Sequence, residues 1–337
     1  AGMTKQNMHL TLKKWMTVNF ILIVALAGVV VLSVGTGSVV VTEQGGLFND
    51  LLRDRWLEIL YLVRIPRTIL AALVGMALAS SGGAFQALLR NPLADPFILG
   101  VSGGAALGSV VSIGFHLPFE WVSAAAFFGA TVAMLVIFFV SGRKNGLEST
   151  RLLLTGVVFN AFCFALILFI NAVVTMEEAY QILFLLIGNL EVVSIRTVVI
   201  AGIFIIVGFL ILCSMSGRMN LLSVGDEEAK SLGIDVAMTR GIIFGAASMM
   251  VGAAVATSGL IGFVGLFIPH TVRLLFGADN RLLIPASGLL GAAFLVGADI
   301  LARTILMNTG YATQLPVGVI TALIGAPLFM VLLRKQG

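Results

Sequence analysis

The chain has 337 residues, of which 59% are hydrophobic and 11% charged, and its mean hydropathy is +1.09. Soluble domains stay near half apolar, so this composition excludes a water-soluble globular protein and predicts an all-α, polytopic integral membrane protein. The net charge of +4 is small, and its Lys and Arg residues stand at the ends of apolar segments, which indicates membrane topology rather than nucleic-acid binding. The two cysteines and three histidines are too scattered to predict a disulfide framework or a metal site.

Apolar segments without charged residues recur along the chain. A spanning helix needs about 20 apolar residues, and such segments lie at 15–42, 68–89, 96–119, 121–142, 152–176, 197–217, 241–272, 282–298 and 304–333. The first is too long for the core of a signal peptide, so we expect it to be retained as a span. The segment 241–272 would be about 48 Å long as a helix, which exceeds one span, and Gly259, Gly262 and Gly265 offer break points. Splitting it predicts ten spans.

The distribution of basic residues supports the split. With ten spans and the N-terminus inside, all but six of the 20 Lys and Arg residues are cytoplasmic. Without the split, nine would lie outside. We therefore predict that both termini are cytoplasmic. The six outer residues are Arg53, Arg55, Arg64, Arg67, Arg196 and Arg303.

Two further segments are predicted to form helices that do not span. Apolar residues in 48–63 follow helical spacing with charges opposite, which is typical of an interfacial helix on the outer side. The apolar segment 179–190 is short enough for a re-entrant or interfacial helix. Either segment could instead be a plain connecting loop.

The segment "VGDEEAKSLG" (224–233) is a charged island between the sixth and seventh spans. Ser223 and Asp226 have the spacing of a capping box, three acids fall in the first turn, and Lys230 precedes a stop at Gly233. This predicts a short exposed helix on which a partner could dock, although a solvated loop would show similar composition. The chain lacks a G-x-x-x-x-G-K-[ST] motif, so an ATPase that drove it would be another subunit.

Four stretches resemble the FecCD-type permeases, the membrane subunits of bacterial ABC importers for iron–siderophore complexes, haem and vitamin B12. They are "RIPRTILAALVGMALASSGGAFQALLRNPLADPFILGVSGGAALG" (64–108), "GRMNLLSVGDEEAKSLGI" (217–234), "GLIGFVGLFIPHTVRLLFGADNRLLIPASGLLGAAFLVGADILAR" (259–303) and "QLPVGVITALIGAPLFMVLL" (314–333). The similarity covers essentially the whole chain in the same order. It implies one permease domain over 1–337 with a cytoplasmic coupling region at 219–236.

The resemblance also implies the partners. A second copy would complete a homodimer with ten helices per subunit, and an extracytoplasmic binding protein would deliver the cargo. Two ATP-binding cassette ATPases would bind ATP and Mg²⁺, so this chain would hold no cofactor and would not be an enzyme. It would lie among lipids in the bacterial inner membrane and bind no nucleic acid. The resemblance assigns the ATPase contact to Ser223, Gly225, Asp226, Glu227, Glu228, Lys230 and Gly233.

Three further sets of residues take roles from the resemblance. Arg64, Arg67 and Arg303 would meet acidic residues of the binding protein, since exposed arginines can fix the register of an acidic partner. Alternatively they anchor the membrane edge, or Arg303 pairs with Asp299 one helical turn away.

A cytoplasmic gate would comprise Asn91, Leu93, Ser149 and Thr150, unless the prolines of "RNPLADP" simply end a span and Ser149 caps the next helix. Asn160, Phe164, Ile167 and Asn171 share one helical face and would line the pathway, although amides in spans also join helices. Gly318, Ala322 and Gly325 form a small-residue stripe that favours helix packing.

The leading hypothesis is an ATP-driven importer of a metal chelate, with iron–siderophore as the first candidate cargo, followed by haem, cobalamin and oxyanions such as molybdate. An ion-coupled secondary transporter is the alternative from another class, but it would require ionisable groups within the spans, where carboxylates are almost absent. Nothing in the spans supports a membrane enzyme.

Overall fold

The architecture was obtained as a computed structural model that describes residues 11–36, 58–97, 99–143, 146–147, 149–190, 194–306 and 314–334. These residues form an all-α bundle, as predicted. A π-helical turn at Leu60–Arg64 runs directly into α2, and the two-residue strands β1 (Gly142–Arg143) and β2 (Gly146–Leu147) pair between α4 and α5. The helices are α1 (Leu12–Gly35), α2 (Ile65–Leu89), α3 (Val101–Gly114), α4 (Phe119–Ser141), α5 (Ser149–Val173), α6 (Met176–Ile187), α7 (Ile195–Val224), α8 (Asp226–Ser231), α9 (Val236–Ser258), α10 (Val264–Phe276), α11 (Asn280–Thr304) and α12 (Val317–Arg334).

Ten apolar helices correspond to the ten predicted spans, in the predicted order. Within the described ranges, seven are long and apolar enough to cross a membrane, namely α1, α2 with its π-turn, α4, α5, α7, α9 and α11. The other three, α3, α10 and α12, are apolar but shorter. The predicted break in 241–272 is confirmed, because α9 ends at Ser258 and α10 begins at Val264.

The break between α9 and α10 hydrogen-bonds to the last turn of α6 and to the non-helical segment that follows α6. Leu260 donates its backbone N–H to the Leu185 carbonyl at 3.1 Å, and Asn189 donates to the Ser258 carbonyl at 2.8 Å. The Gly188 carbonyl accepts from the first turn of α12. In an apolar environment each backbone N–H and C=O group needs a hydrogen-bond partner. Two irregular segments that supply partners to one another are therefore tolerated, whereas a single irregular segment would leave backbone groups unpaired at a high cost in free energy. The short helix predicted at 179–190 is present as α6.

Glycines allow the closest helix contacts, and α2 lies at the centre of the bundle. A Cβ at Gly75 would collide with the Gly291 carbonyl of α11, and a Cβ at Gly291 would collide with the Gly75 carbonyl. Gly82 lies equally close to Gly265 of α10. Apolar side chains gain little by leaving lipid for protein, so backbone approach at small residues is a main source of helix association in membranes.

Within the described residues, the segment 48–63 does not form the separate interfacial helix that its sequence predicts. Residues 48–57 lie outside the described ranges. Residues 58–63 continue into α2 through the π-turn without interruption, so this part is not a separate interfacial helix. Its apolar residues extend the second span rather than lie beside it.

The two ends of the bundle are called the α8 end and the opposite end. The α8 end carries α8, the start of α1, the end of α2 and the turn between α10 and α11. There Asn220 of α7 binds the Asp279 carboxylate at 2.7 Å, and Lys14 of α1 donates to the Phe276 carbonyl at 2.6 Å. The opposite end carries the end of α1, the start of α2, the end of α11 and the turn before α6.

Candidate coupling, gate and docking sites

The charged island forms the short helix α8, with a different start from the predicted one. Ser223 belongs to the last turn of α7 and donates its hydroxyl to the Asn220 carbonyl at 2.6 Å, so the predicted capping box is wrong. Gly225 occupies the N-cap position without a side-chain bond, and the three acids follow it in the first turn. The reason is that α7 continues one residue past Ser223, which leaves the serine to bond backwards within its own helix.

The end of α8 follows the prediction. Gly233 has φ 81°, and its N–H bonds to the Lys230 carbonyl at 2.9 Å while Ile234 bonds to the Ala229 carbonyl at 3.1 Å. This pair of bonds is the Schellman arrangement, in which glycine is preferred because it reaches a positive φ without strain. Ala229 is buried, whereas Glu227 and Lys230 form an exposed pair at 2.9 Å. The helix therefore presents charges outward and seats one small apolar side chain.

Asp226 ties α8 to two other elements. Its Oδ1 accepts from the Arg240 guanidinium of α9 at 2.8 Å and also from Arg90, which ends α2. Arg240 is buried, with 6% of its side chain exposed. Arg90 further donates from Nε to the Leu222 carbonyl of α7 at 2.8 Å. Neither arginine was assigned a role from the sequence, because neither lies within one helical turn of Asp226.

The predicted gate residues Asn91 and Leu93 form a compact turn directly after α2. Asn91 Oδ1 accepts the Leu93 N–H at 2.9 Å, and the Asn91 carbonyl accepts the Ala94 N–H at 3.1 Å. Leu93 is exposed. Asp95 follows as a buried carboxyl whose Oδ1 accepts from the Phe97 N–H at 2.8 Å. Burial raises the pKa of Asp95 to about 6, and the Phe97 hydrogen bond offsets part of that rise.

The structure brings Ser149 against the end of α2. The Ser149 hydroxyl donates to the Leu88 carbonyl at 3.0 Å, so α5 begins beside the turn that contains Asn91. The bond supplies a partner to a carbonyl in the last turn of α2, where intrahelical partners are missing. Thr150 is exposed at the same place. The four predicted gate residues are thus neighbours around one helix end, and their gating role stays a prediction.

At the opposite end, the side chains of the three predicted docking arginines are largely covered, and two of them, Arg67 and Arg303, form ion pairs with Asp299. Arg67 Nε binds Asp299 Oδ1 at 2.9 Å, and Arg303 Nε binds Asp299 Oδ2 at 3.0 Å. Arg64 is also buried and donates to the Val34 carbonyl at 3.2 Å. Asp299 itself is fully buried.

The exposure on which the docking prediction depended is therefore wrong, and the alternative pairing of Arg303 with Asp299 is confirmed. The physical reason is that α11 places a carboxylate one turn before Arg303, and the end of α1 adds free carbonyls that attract cations. Arg303 reaches two of these, Thr36 and Ser33, with its terminal nitrogens. A docking role would require this network to open.

The predicted pathway face of α5 is mainly a packing face. Ile167 is fully buried, so its assignment to the pathway is wrong. A Cβ at Gly103 of α3 would collide with Asn160 Oδ1, which places that amide against α3 as well. Helical spacing correctly groups these residues but does not tell which neighbour they face. Phe164 is 37% exposed and Asn171 is half-buried, so for them the pathway role stays a prediction.

The stripe on α12 packs as predicted. A Cβ at Gly318 would collide with the Ile187 carbonyl at the end of α6, and a Cβ at Gly325 would press on the Phe263 ring. Phe263 immediately precedes α10 and has φ 70°, an unusual conformation for an aromatic residue. The small residues of α12 therefore cover the irregular segment between α9 and α10.

A cavity of about 290 Å³ opens beside the turn before α6, at the opposite end. At its edge, His116 Nδ1 lies 2.5 Å from Glu178 Oε1. Thr175 and Glu178 form a capping box, and those hydrogen bonds hold the pKa of Glu178 below its usual value. The Thr175–Glu178 spacing could have been read from the sequence, but the His116 contact could not.

Residues 13–335 match the model of the FecCD transport family. The chain belongs to the FecCD transport family. A Helicobacter pylori protein named "Probable iron chelatin transport system permease protein" is 42% identical over 276 residues, which cover 82% of each chain. A cobalamin import system permease protein of Halobacterium salinarum is 41% identical over 275 residues, which cover 81% of this chain and 73% of the relative.

A solved structure supports the same assignment at the level of the fold. A structure described as "an inward-facing conformation of a putative metal-chelate type ABC transporter" matches with a TM-score of 0.85 and 31% identity, covering 95% of this chain and 99% of that one. As a FecCD permease, the chain is a multi-pass membrane transport subunit rather than an enzyme. The cargoes named for the relatives differ. Membership of the family therefore indicates a cargo among metal chelates, haem and vitamin B12, without selecting one of them.

Proposed function

We propose that this FecCD permease forms a homodimer that imports an iron–siderophore complex, driven by two ATP-binding cassette ATPases that dock on α8. The observation that carries the proposal is the surface of α8. Its outward charges, Glu227 and Lys230, belong to a helix whose two ends continue into the long helices α7 and α9. A force on such a helix would move both spans, whereas a free loop would yield.

The proposal places the α8 end in the cytoplasm, together with both termini and the turn that contains Asn91. The exposed basic residues Arg151 and Arg218 lie at this end, which supports that orientation. The binding protein would approach the opposite end. ATP and Mg²⁺ would be held by the ATPase subunits, and the whole of 1–337 would act as one permease domain.

Docking on α8 can be tested by purifying the FecCD permease together with its partner ATP-binding cassette ATPase. E227K reverses an exposed charge that pairs with Lys230 on its own helix, so the fold should persist while ATPase recovery falls. E177K is the matched control, because Glu177 is an exposed acid in the first turn of α6 at the opposite end. Equal recovery with both variants would contradict docking on α8, and no recovery with the unchanged chain would contradict an ATP-driven importer.

The cargo can be tested on the cognate binding protein. A thermal-shift panel of ferrichrome, hemin, cyanocobalamin and molybdate separates the four cargoes that the family resemblance allows. We expect a shift with the iron–siderophore complex. A shift with another ligand alone would replace iron–siderophore by that cargo and leave the ATP-driven mechanism in place.

A further inference from the structure

Arg90 adopts a backbone conformation that its residue type disfavours. It ends α2 with φ 50° and ψ 34°, in the left-handed region. Its N–H bonds to the Ala87 carbonyl at 3.3 Å, and the Asn91 N–H bonds to the Gln86 carbonyl at 3.1 Å, which together form a Schellman end. Glycine is the usual residue at this position because a side chain is strained there. An arginine at such a site suggests that its side chain has a purpose that outweighs the strain.

The side chain of Arg90 joins three elements at once. Its Nε donates to the Leu222 carbonyl in the last turn of α7 at 2.8 Å, and its terminal nitrogen reaches Asp226 Oδ1 at the first residue of α8. The fixed fork of a guanidinium holds two such acceptors in a set geometry, which a lysine could not do. The end of α2 is thereby fastened to both sides of the junction between α7 and α8.

Asp226 is also held from a third direction. Arg240 of α9 binds the same Oδ1 at 2.8 Å from a buried position. The Asp226 carboxylate is shared by two guanidinium groups, one buried and one half-exposed. If the carboxylate moves with one guanidinium group, its contact with the other must change. The first residue of α8 is therefore linked both to the span that follows it and to the end of α2.

The turn that contains the predicted gate residues begins immediately after Arg90. Asn91 closes that turn through its side chain, which accepts the Leu93 N–H at 2.9 Å. No residue lies between the guanidinium-bearing position and the turn, so a displacement of Arg90 displaces Asn91 by the covalent chain. The route from α8 to the turn consists of one ion pair and one peptide bond.

From these contacts we propose that Arg90 is the positioning residue that transmits movement of α8 to the turn at 91–94, with Asp226 as the shared joint and Arg240 as its anchor. The proposal rests on the proposed function, in which ATPase subunits move α8. It adds the path by which that movement reaches the cytoplasmic opening. The competing explanation is that Arg90 merely fastens the end of α2.

The two explanations differ in what R90G should do. Glycine is the preferred residue at a left-handed helix end, so R90G keeps the Schellman end and removes the guanidinium alone. R90K keeps the positive charge near Asp226 but cannot bond the Leu222 carbonyl with a fork. R218Q is the matched control, because Arg218 is an exposed arginine on α7 near the same end, where it contacts Met215 one turn earlier.

The readout is the reactivity of a thiol in the turn, measured in the permease–ATPase complex. All variants carry L93C in a background where Cys163 and Cys213 are replaced by alanine, and a maleimide labels the new thiol with and without ATP plus vanadate. We expect the nucleotide to change the labelling rate in the parent and in R218Q. R90G should lose that change while it retains ATPase activity and the parent's melting temperature, and R90K should show a smaller change than the parent.

A double variant checks that the residues act through one contact. If Arg90 works through Asp226, D226N alone should lose the labelling response as R90G does, and the double variant should match either single variant; a normal response in D226N would show that the two residues act separately. The proposal is overturned if R90G keeps the parent's nucleotide-dependent labelling, or if R90G loses it only together with its melting temperature. Failure of the proposed function gives a different result, because the parent itself would then bind no ATPase or show no response to nucleotide.

Discussion

Replacing Asp299 by asparagine should destabilise the opposite end of the bundle more than any single surface change. The Asp299 carboxylate is fully buried and binds Arg67 at 2.9 Å and Arg303 at 3.0 Å, with only 9% and 5% of those two side chains exposed. D299N preserves shape but leaves two buried guanidinium groups without a counter-charge. Removing one partner of a buried ion pair typically costs about 3–5 kcal/mol.

That cost can be measured as an apparent melting temperature in detergent. At about 2 °C per kcal/mol for a chain of this size, D299N should melt about 6–10 °C below the parent. E177Q is the control at the same end of the bundle, because Glu177 is exposed and surface substitutions usually change stability by less than about 0.5 kcal/mol.

A D299N variant that melts as high as E177Q would contradict this prediction. That result would mean that the two guanidinium groups are satisfied by water or by carbonyls at the end of α1. The arginines would then be available to a partner, which would restore the docking interpretation derived from the sequence.

Three further outcomes are expected from single substitutions. G75A should lower the free energy of unfolding by about 1–3 kcal/mol, because its methyl group would meet a carbonyl of α11. In the control G297A the added methyl group has open space around it, so this variant should be neutral or more stable by up to about 1 kcal/mol. Equal melting temperatures for the two variants would contradict the close contact at Gly75. Burial raises the pKa of Asp95 from 3.8 to about 6, so the folded state holds this proton more tightly than the unfolded state does. The parent should therefore lose stability as the pH rises from about 4 to about 6, and D95N should not. Parallel stability–pH profiles for the two proteins would contradict the raised pKa. S149A removes the hydrogen bond to Leu88 and should cost about 1 kcal/mol in a thermal melt, with no effect expected if the hydroxyl merely faced water.

The helix count and the break in the seventh apolar segment could be predicted because both depend on length. A segment of 32 residues exceeds the bilayer, and its glycines mark where the helix can stop. The structure ends α9 at Ser258, one residue before the first of them. What length could not reveal is the second irregular segment, after α6, that supplies partners for the exposed backbone.

The charged sites were harder to predict because their partners are distant in sequence. Arg67 and Asp299 are 232 positions apart, and Arg90 and Asp226 are 136 apart, so no spacing rule connects them. The pair of Arg303 with Asp299 could be anticipated, since it lies within one helical turn. The sequence therefore led us to expect exposed charges near the predicted span ends, whereas the structure buries some of them together.

The face of α5 shows the limit of periodicity. Helical spacing grouped Asn160 with Ile167 on one side, and the structure agrees that they lie together. The choice between a pathway and a neighbouring helix depended on Gly103 of α3, whose missing side chain admits the Asn160 amide. That information belongs to a second helix, so the sequence of α5 alone could not supply it.

The ATP dependence of uptake distinguishes an ATP-driven importer from a secondary transporter. The FecCD permease would be reconstituted in liposomes with its binding protein and labelled ferrichrome on the side opposite α8, with and without the ATPase and ATP on the α8 side. Ferrichrome should accumulate only when the ATPase and ATP are both present. Accumulation without the ATPase, driven by an ion gradient, would contradict it and favour a secondary transporter.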